Sequence, residues 1–356
     1  MNWIFKTRRM LRLVFALVVF GLLLNRARAQ EDANKPDDAK DAVDGEKSGG
    51  IREKIREHMR GNSGAARATQ PTQPASGPGG SDYSHGSFTR STFGEGNDEF
   101  IIFEPADPKP EKAPVILFLH GWTAMKPEPY LDWITHLARR GNIVIYPRYQ
   151  AKITTKPAEF TPSAIKAVKA ALAVLEGSDH VHPDREKVAA VGHSMGGILT
   201  ANLAAAVSEG LPPIKAAMCV EPGNGGYPIN ADYSKIPAGT LLLTISGDAD
   251  KLAKDTNAKA IFSGATSIAK GDKNYIIAAS DDHGTPNVTA NHMAPTTASG
   301  NQNALHYYGY WKWFDGLTDA AFFGKNRDYA LGNTANQRYM GLWSDGVPVA
   351  EPKIQE

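Results

Sequence analysis

The stretch that decides the fold is GHSMGG at residues 192–197, which directly follows the apolar run KVAAV at residues 187–191. It fits the pattern Gly-x-Ser-x-Gly, in which the serine occupies a sharp turn from a strand into a helix. Such a turn leaves no room for bulky neighbours, so glycines flank the serine. The N-terminus of the next helix offers unpaired N–H groups and a partial positive charge. The pattern therefore predicts a nucleophilic serine, Ser194.

The rest of the folded region alternates between strand and helix patterns, which predicts a mostly parallel sheet with helices on both faces. Apolar runs predict strands over 99–105, 113–121, 142–147, 185–193, 214–222, 239–247 and 274–280. Helical periodicity predicts helices over 127–141, 161–177, 196–210 and 303–317. In such sheets the reactive groups lie just beyond the carboxyl ends of the strands.

Composition excludes several kinds of protein. The formal net charge is +1, so no overall charge attracts nucleic acid or an anionic surface. A single cysteine, Cys219, rules out an intramolecular disulfide and reads as a small buried apolar residue. No histidine or cysteine set has metal-ligand spacing, and no glycine-rich phosphate loop is present. We therefore expect no metal, no cofactor and no nucleic-acid partner.

The N-terminus has the layout of a signal peptide over residues 1–29. A basic segment precedes the apolar run LVFALVVFGLLL, and Ala27-Arg28-Ala29 forms a small-x-small cleavage pattern. We expect a secreted or periplasmic protein, with an uncleaved N-terminal anchor as the alternative. Residues 30–82 are charged or rich in Pro, Gly and Ser, which predicts a disordered tether that could associate with a surface. Residues 83–356 then form the catalytic domain.

A reactive serine needs a base, and in this fold the base follows the serine and the acid along the chain. Three histidines follow Ser194. His283 comes just after the last predicted strand, in DDHG, and is our choice. His292, in TANHMAP, is the second candidate, and His306 lies in an aromatic helix where a packing role is expected.

Three carboxylates compete for the role of the acid that orients the base. Asp250 is our choice because it lies in the loop that follows the strand GTLLLTISG. Asp248 is the alternative in the same loop, with capping as its expected role. Glu221, after the preceding strand, is the third candidate.

The oxyanion of an acyl-transfer reaction needs two N–H donors. One is expected from Met195, the residue after the nucleophile. The other is expected from Trp122 in the loop after VILFLH, with Thr123 as the alternative. Between CVEP and GTLLL the chain has only residues 223–238, which is too short for a helical cap domain, so an open cleft is predicted.

These motifs resemble the α/β-hydrolase superfamily, and within it the bacterial cutinase-like and dienelactone-hydrolase-like serine esterases. HGWTA at 120–124 is similar to their oxyanion loop, GHSMGG to their nucleophile turn, GDADKLA at 247–253 to their acid loop and DDHG at 281–284 to their histidine loop. The resemblance implies ester hydrolysis by Ser194, Asp250 and His283. The disulfide common in those enzymes is absent here, and the loop over residues 281–303 differs from theirs.

The sequence thus predicts an exported, monomeric serine hydrolase that cleaves carboxylic esters through an acyl-enzyme, with an open cleft for varied acyl or polyester-like substrates. The alternatives are a peptidase or amidase, an acyltransferase on the same triad, or a non-catalytic binding protein that retains the fold.

Overall fold

A nine-stranded sheet organises the chain, in the spatial order β1-β2-β4-β3-β5-β6-β7-β8-β9. The strands from β4 to β8 pair in parallel, whereas β1, β2 and β9 run antiparallel to their neighbours. Their bounds are β1 Ser87–Phe93, β2 Phe100–Ala106, β3 Lys112–Leu119, β4 Ile143–Pro147, β5 His182–His193, β6 Ile214–Val220, β7 Leu241–Gly247, β8 Lys273–Ala278 and β9 Lys353–Gln355.

This architecture comes from a computed structural model that describes residues 67–297 and 302–356. The predicted signal peptide over 1–29 and most of the predicted tether lie outside the described residues. Within those residues, no helix combines the length and the apolar character that a membrane span requires.

Helices connect the parallel strands and cover both faces of the sheet. Their bounds are α1 Leu131–Arg139, α2 Phe160–Val174, α3 Met195–Ala205, α4 Thr256–Gly264, α5 Lys312–Phe323 and α6 Ala335–Arg338, and a π-helix, Leu305–Trp311, leads into α5. Between β6 and β7 the chain forms only a short 3-10 helix, Tyr233–Lys235. The prediction of an α/β-hydrolase fold without a large cap domain is confirmed.

Side chains alternate across the central strands, so each strand contributes to two cores. In β3, Val115 and Leu117 belong to the core under α2 and α3, whereas Ile116 and Phe118 belong to the core under α1 and α5. A strand covered on both faces needs apolar residues in succession, which explains the unbroken run VILFL. Cys219 in β6 is fully buried, as predicted.

Two strands have no counterpart among the predicted elements, and both lie at the edges of the sheet. β1 is largely exposed and alternates only weakly, with Phe88 and Phe93 as its apolar residues. β9 has three residues and pairs with β8. Edge strands bury less apolar area than central ones, so their sequences carry a weaker signal.

The predicted tether is wrong for residues 67–82, which we call the strap. The strap lies along the domain and is fixed by backbone and side-chain hydrogen bonds. Thr285 N–H donates to the Ala68 carbonyl at 2.8 Å, and Gln70 Nε2 donates to the Pro286 carbonyl at 2.8 Å. Composition alone suggested disorder, but these specific bonds to the domain compensate for the few apolar contacts of the strap.

A buried charge cluster anchors the other end of the strap. Asp315 in α5 accepts the Gly79 N–H at 2.7 Å, and its Oδ2 lies 2.8 Å from His136 Nε2 and 3.3 Å from Arg140 Nε. Burial alone would raise the pKa of Asp315, but Arg140 and His136 outweigh it and hold the pKa below its ordinary value. The carboxylate is therefore charged and paired, and it holds α1, α5 and the strap together.

We expect Asp315→Asn to lower the free energy of unfolding by about 3 kcal/mol, because it leaves a largely buried Arg140 without its main partner. Asp82→Asn, which removes an exposed partner of the same guanidinium, should cost less than about 1 kcal/mol. Because the pKa of Asp315 is lowered on folding, its contribution is present above the ordinary carboxyl pKa and lost as the pH falls through the folded value. Urea unfolding of both variants at neutral and acidic pH measures this, and equal costs would contradict the anchor.

Candidate active site

Ser194 lies at the turn from β5 into α3 with φ 57° and ψ −119°, a backbone conformation that side chains rarely adopt. The turn holds because its glycines permit two close approaches. A Cβ on Gly192 would be 2.3 Å from the Gly196 carbonyl oxygen, and a Cβ on Gly196 would be 2.0 Å from the Leu119 carbonyl oxygen. Ser194 N–H donates to the Val220 carbonyl at 2.9 Å, which ties the turn to β6.

The structure brings three side chains into one hydrogen-bonded line. His292 Nε2 lies 2.9 Å from Ser194 Oγ, and His292 Nδ1 lies 2.9 Å from Asp250 Oδ2. Asp250 can only accept when ionised, so Nδ1 carries the proton and Nε2 presents its lone pair to the serine O–H. This is the geometry of a nucleophile, a base and an orienting acid.

Asp250 is held by its own loop. Its Oδ1 accepts the N–H groups of Leu252 at 2.8 Å and Ala253 at 2.9 Å. Burial alone would raise the pKa of Asp250, but the hydrogen bond from His292 and the two backbone bonds keep the pKa below its ordinary value. The carboxylate is therefore charged at neutral pH, as an orienting acid requires.

The prediction that His283 faces the serine is wrong. His283 Nε2 lies 2.7 Å from Asp345 Oδ2, and its side chain is 36% exposed. His292, the second candidate, takes the place beside Ser194. His306 is buried, with Nε2 facing the Thr296 carbonyl, in keeping with the packing role expected of it.

The chain path explains why His292, and not His283, reaches Ser194. After β8 the chain leaves the sheet, and Asp281 pairs with Val288 in an isolated antiparallel bridge. His283 lies in this excursion. The chain then returns, and the Ala249 N–H donates to the Ala290 carbonyl at 3.1 Å, which brings residue 292 to the acid loop. The sequence signal was present only as TANHMAP, a histidine in a polar loop.

The two other acid candidates have distinct surroundings. Asp248 accepts two hydrogen bonds from Ser280, one from the Ser280 N–H at 2.9 Å and one from the Ser280 hydroxyl at 2.5 Å. Asp248 therefore holds the loop after β8. Glu221 is fully buried, and its Oε2 lies 3.7 Å from His292 Nδ1. The structure thus brings Asp250 and Glu221, but not Asp248, to the edge of His292.

A second chain of hydrogen bonds links the loop after β3 to the loop that carries His292. Gly121 N–H donates to Tyr130 Oη at 3.0 Å, Tyr130 Oη lies 2.8 Å from His193 Nδ1, and His193 Nε2 lies 2.7 Å from the His292 carbonyl. Burial lowers the pKa of His193 to about 3, so the ring is neutral. Because a carbonyl only accepts, His193 carries its proton on Nε2, and its Nδ1 accepts a hydrogen bond from the Tyr130 hydroxyl.

The mouth of the site is formed by small residues and an aromatic pair. A Cβ on Gly223 would be 3.6 Å from Ser194 Oγ, and a Cβ on Gly121 would be 3.6 Å from Ser194 Cβ. Trp122 follows Gly121, and its ring meets Tyr227 edge-on at 5.4 Å between centroids. Met195 begins α3, and the first N–H groups of a helix have no acceptor within it.

The ligand atoms of His193, Glu221 and His292 lie within 4.8 Å of one another, close enough to be tested as a metal site. The two ring nitrogens that face Glu221 are His193 Nε2 and His292 Nδ1. Both carry the protons assigned above, so neither offers a lone pair to a metal ion. These three side chains are therefore better suited to positioning a catalytic base than to binding a metal ion.

Comparison with known proteins gives one family match. Residues 90–236 match the Chlorophyllase family, and no curated protein matches the chain. The matched region runs from β1 past the serine turn and Glu221, and it ends before Asp250 and His292. That family is a serine-hydrolase family of the α/β-hydrolase superfamily, and the match points to a serine ester hydrolase. The chain has an α/β-hydrolase fold, and it resembles the serine esterases of that superfamily.

Proposed function

We propose that this protein hydrolyses carboxylic esters with Ser194 as nucleophile, His292 as base and Asp250 as orienting acid. The observation that carries the proposal is the position of His292, whose two ring nitrogens each lie 2.9 Å from one of the other two side chains. The proposed triad therefore differs from the sequence prediction at one residue, with His292 in place of His283.

In the proposed reaction, Ser194 Oγ attacks the ester carbonyl carbon as its proton passes to His292 Nε2. The imidazolium then protonates the leaving alcohol, which departs as the carbonyl re-forms in an acyl-enzyme. Water attacks the acyl-enzyme in the same way, losing its proton to Nε2, and the acid product leaves. Asp250 holds the Nδ1–H and stabilises the positive ring in both halves of the reaction.

We further propose that the backbone N–H groups of Met195 and Trp122 hold the oxyanion. Met195 starts a helix whose eleven residues are all buried, so its partial positive charge acts in a low-dielectric setting. Trp122 directly follows Gly121, where a Cβ would be 3.6 Å from Ser194 Cβ. Donors fixed by a helix and by a strand end need no rearrangement as charge develops on the oxygen.

The surroundings of the site favour esters with apolar groups. Leu252, two residues after Asp250, and Met293, next to His292, are each 57% exposed. The Trp122–Tyr227 pair supplies a further apolar wall. In the part of the chain that the structure describes, only a short 3-10 helix separates β6 from β7, so no cap domain is inserted there. We propose varied apolar or polyester-like esters as substrates, in keeping with the cutinase-like resemblance, for a monomeric enzyme. The signal-peptide layout of residues 1–29 supports export as a proposal.

We expect Ser194→Ala and His292→Ala each to reduce turnover of p-nitrophenyl esters by at least about 10⁴-fold, because each removes a member of a unit that acts together. His283→Ala should stay within about threefold of the wild type, since His283 pairs with exposed Asp345 away from the serine. Initial rates with purified, folded variants measure this. Loss of activity in His283→Ala with activity kept in His292→Ala would reverse the assignment of the base.

Gly223 should set how bulky an ester can be at Ser194. Its backbone is not in the left-handed region, but a Cβ there would be 3.3 Å from Ala253 Cβ and 3.6 Å from Ser194 Oγ. We expect Gly223→Val to lower kcat/KM for p-nitrophenyl octanoate by about tenfold more than for p-nitrophenyl acetate. Gly239→Val, the same change at an exposed glycine where a Cβ would meet no atom within 4 Å, serves as the control. Equal losses on both esters would refute a sizing role for Gly223.

A further inference from the structure

Glu221 is a buried carboxyl that the proposed reaction does not use. It directly follows β6, which lies between the strands that carry Ser194 and Asp250. Its backbone has φ 46°, and its N–H donates to the Ile245 carbonyl at 2.7 Å. This bond fixes the start of the turn, so the carboxyl is held at the same sheet edge as the triad.

The carboxyl of Glu221 has one bonded oxygen and one unbonded oxygen. Oε1 pairs with Tyr310 Oη at 3.1 Å. Oε2 lies 3.7 Å from His292 Nδ1 and 3.8 Å from His193 Nε2, and it has no hydrogen-bond partner among the residues that the structure describes. A buried oxygen without a partner is costly, so its position facing two ring N–H groups calls for an explanation.

The carboxyls of Asp250 and Glu221 therefore both face the His292 imidazole, but only Asp250 has enough N–H donors to stabilise a negative charge. Asp250 accepts from His292 and from two backbone N–H groups. Glu221 has Tyr310 alone. Burial and the nearby Asp250 charge raise the pKa of Glu221 well above its ordinary value, whereas the pKa of Asp250 is lowered, so Asp250 ionises before Glu221 does.

We propose that Glu221 is a second acid for His292, a positioning residue whose free Oε2 orients the imidazole when the Asp250 carboxylate is removed. This inference rests on the proposed function, since it assigns a further role at the same site. It follows from the position of Oε2, which is less than 1 Å beyond hydrogen-bond distance from the nitrogen that Asp250 now binds.

Removing the Asp250 charge takes away one of the two causes that raise the pKa of Glu221, whereas burial remains. The repulsion between the two carboxylates disappears, and His292 Nδ1–H loses its acceptor at residue 250. The ring can then turn this N–H toward the free oxygen of Glu221. The carboxyl then ionises, accepts the Nδ1–H and leaves Nε2 free to act as base. A ring shift of under about 1 Å is enough to form the bond, because 3.7 Å separates the atoms now.

The proposal separates two substitutions that would otherwise be expected to behave alike. Asp250→Asn keeps the bonds to Leu252 and Ala253 through its oxygen, so its NH₂ group faces His292 Nδ1. That NH₂ can only donate, which forces the ring proton onto Nε2 and blocks the base. Asp250→Ala leaves Nδ1 free to keep its proton and to turn toward Glu221.

The test is the set Asp250→Asn, Asp250→Ala, Glu221→Gln and the double variant Asp250→Ala/Glu221→Gln, assayed for kcat and KM on p-nitrophenyl esters. We expect Glu221→Gln to lower kcat far less than Asp250→Asn does, since Asp250 already holds the Nδ1–H of His292 in the wild type. Asp250→Asn should lose about 10⁴-fold in kcat, and Asp250→Ala should be about 100-fold more active than Asp250→Asn. The double variant should fall to the level of Asp250→Asn.

A pH profile distinguishes this role from a structural one. Asp250→Ala needs an ionised Glu221, so its kcat should fall as the pH drops through the range where Glu221 takes up a proton. The double variant should lack that dependence. Asp248→Asn, which removes a loop contact but not a contact to His292, is the matched control and should keep the profile of the wild type.

The outcomes separate this inference from the proposed function. Equal kcat for folded Asp250→Ala and Asp250→Asn, or a double variant as active as Asp250→Ala, would overturn the role of Glu221 and leave the triad standing. A loss of about 100-fold in folded Glu221→Gln alone would also overturn it, because Glu221 would then be required while Asp250 is present. Turnover of the Ser194→Ala variant at the wild-type rate would instead overturn the proposed function.

Discussion

The site depends on one steric constraint, which is the close packing of the helix that begins after Ser194 against the ends of β3 and β5. Gly196 lies so close to the Leu119 carbonyl that any side chain would collide with backbone, and Gly192 meets the Gly196 carbonyl in the same way. Backbone cannot move aside as a flexible side chain can, so these two positions leave no alternative to glycine. The approach holds Ser194 in a strained conformation and brings its hydroxyl beside the ends of β3 and β6.

Around this turn, the groups that would act on a substrate come from four separate strand ends. The loop after β3 supplies Gly121 and Trp122, β5 supplies Ser194, the loop after β7 supplies Asp250, and the return of the chain after β8 supplies His292. Tyr130 and His193 connect the first of these to the last through three hydrogen bonds. The strap bonds to residues 285 and 286 in the excursion before His292, so chain segments far apart in sequence support the same loop.

The central strands, the serine turn and Asp250 could be predicted from the sequence because each carries a local signal. Buried parallel strands read as apolar runs, the turn needs its glycines, and Asp250 follows β7 at the sheet edge. His292 carried no such signal, since its place depends on the Asp281–Val288 bridge that carries His283 away from the sheet and then returns the chain. The order of the strap could not be predicted for a similar reason, because its polar residues are held by hydrogen bonds to distant parts of the chain.

The sequence also ranked the carboxylates by position along the chain, whereas their roles depend on the donors around them. Asp250 has three N–H partners and Glu221 has one hydroxyl, and that difference decides which of the two bears the charge beside His292. No pattern of residue types contains this information, because the two backbone donors belong to Leu252 and Ala253. The number of donors at each oxygen is a property of the fold.

The central claim is that Ser194 forms an acyl-enzyme with His292 as its base. The most direct measurement is intact-protein mass spectrometry of the wild type quenched in acid during turnover of a p-nitrophenyl ester, followed by peptide mapping. The account predicts one added acyl group, located on the peptide that contains Ser194, and no adduct in Ser194→Ala or His292→Ala. An acyl group on another residue would contradict this account. So would full ester turnover with no adduct on Ser194, measured with an ester whose deacylation is the slow step.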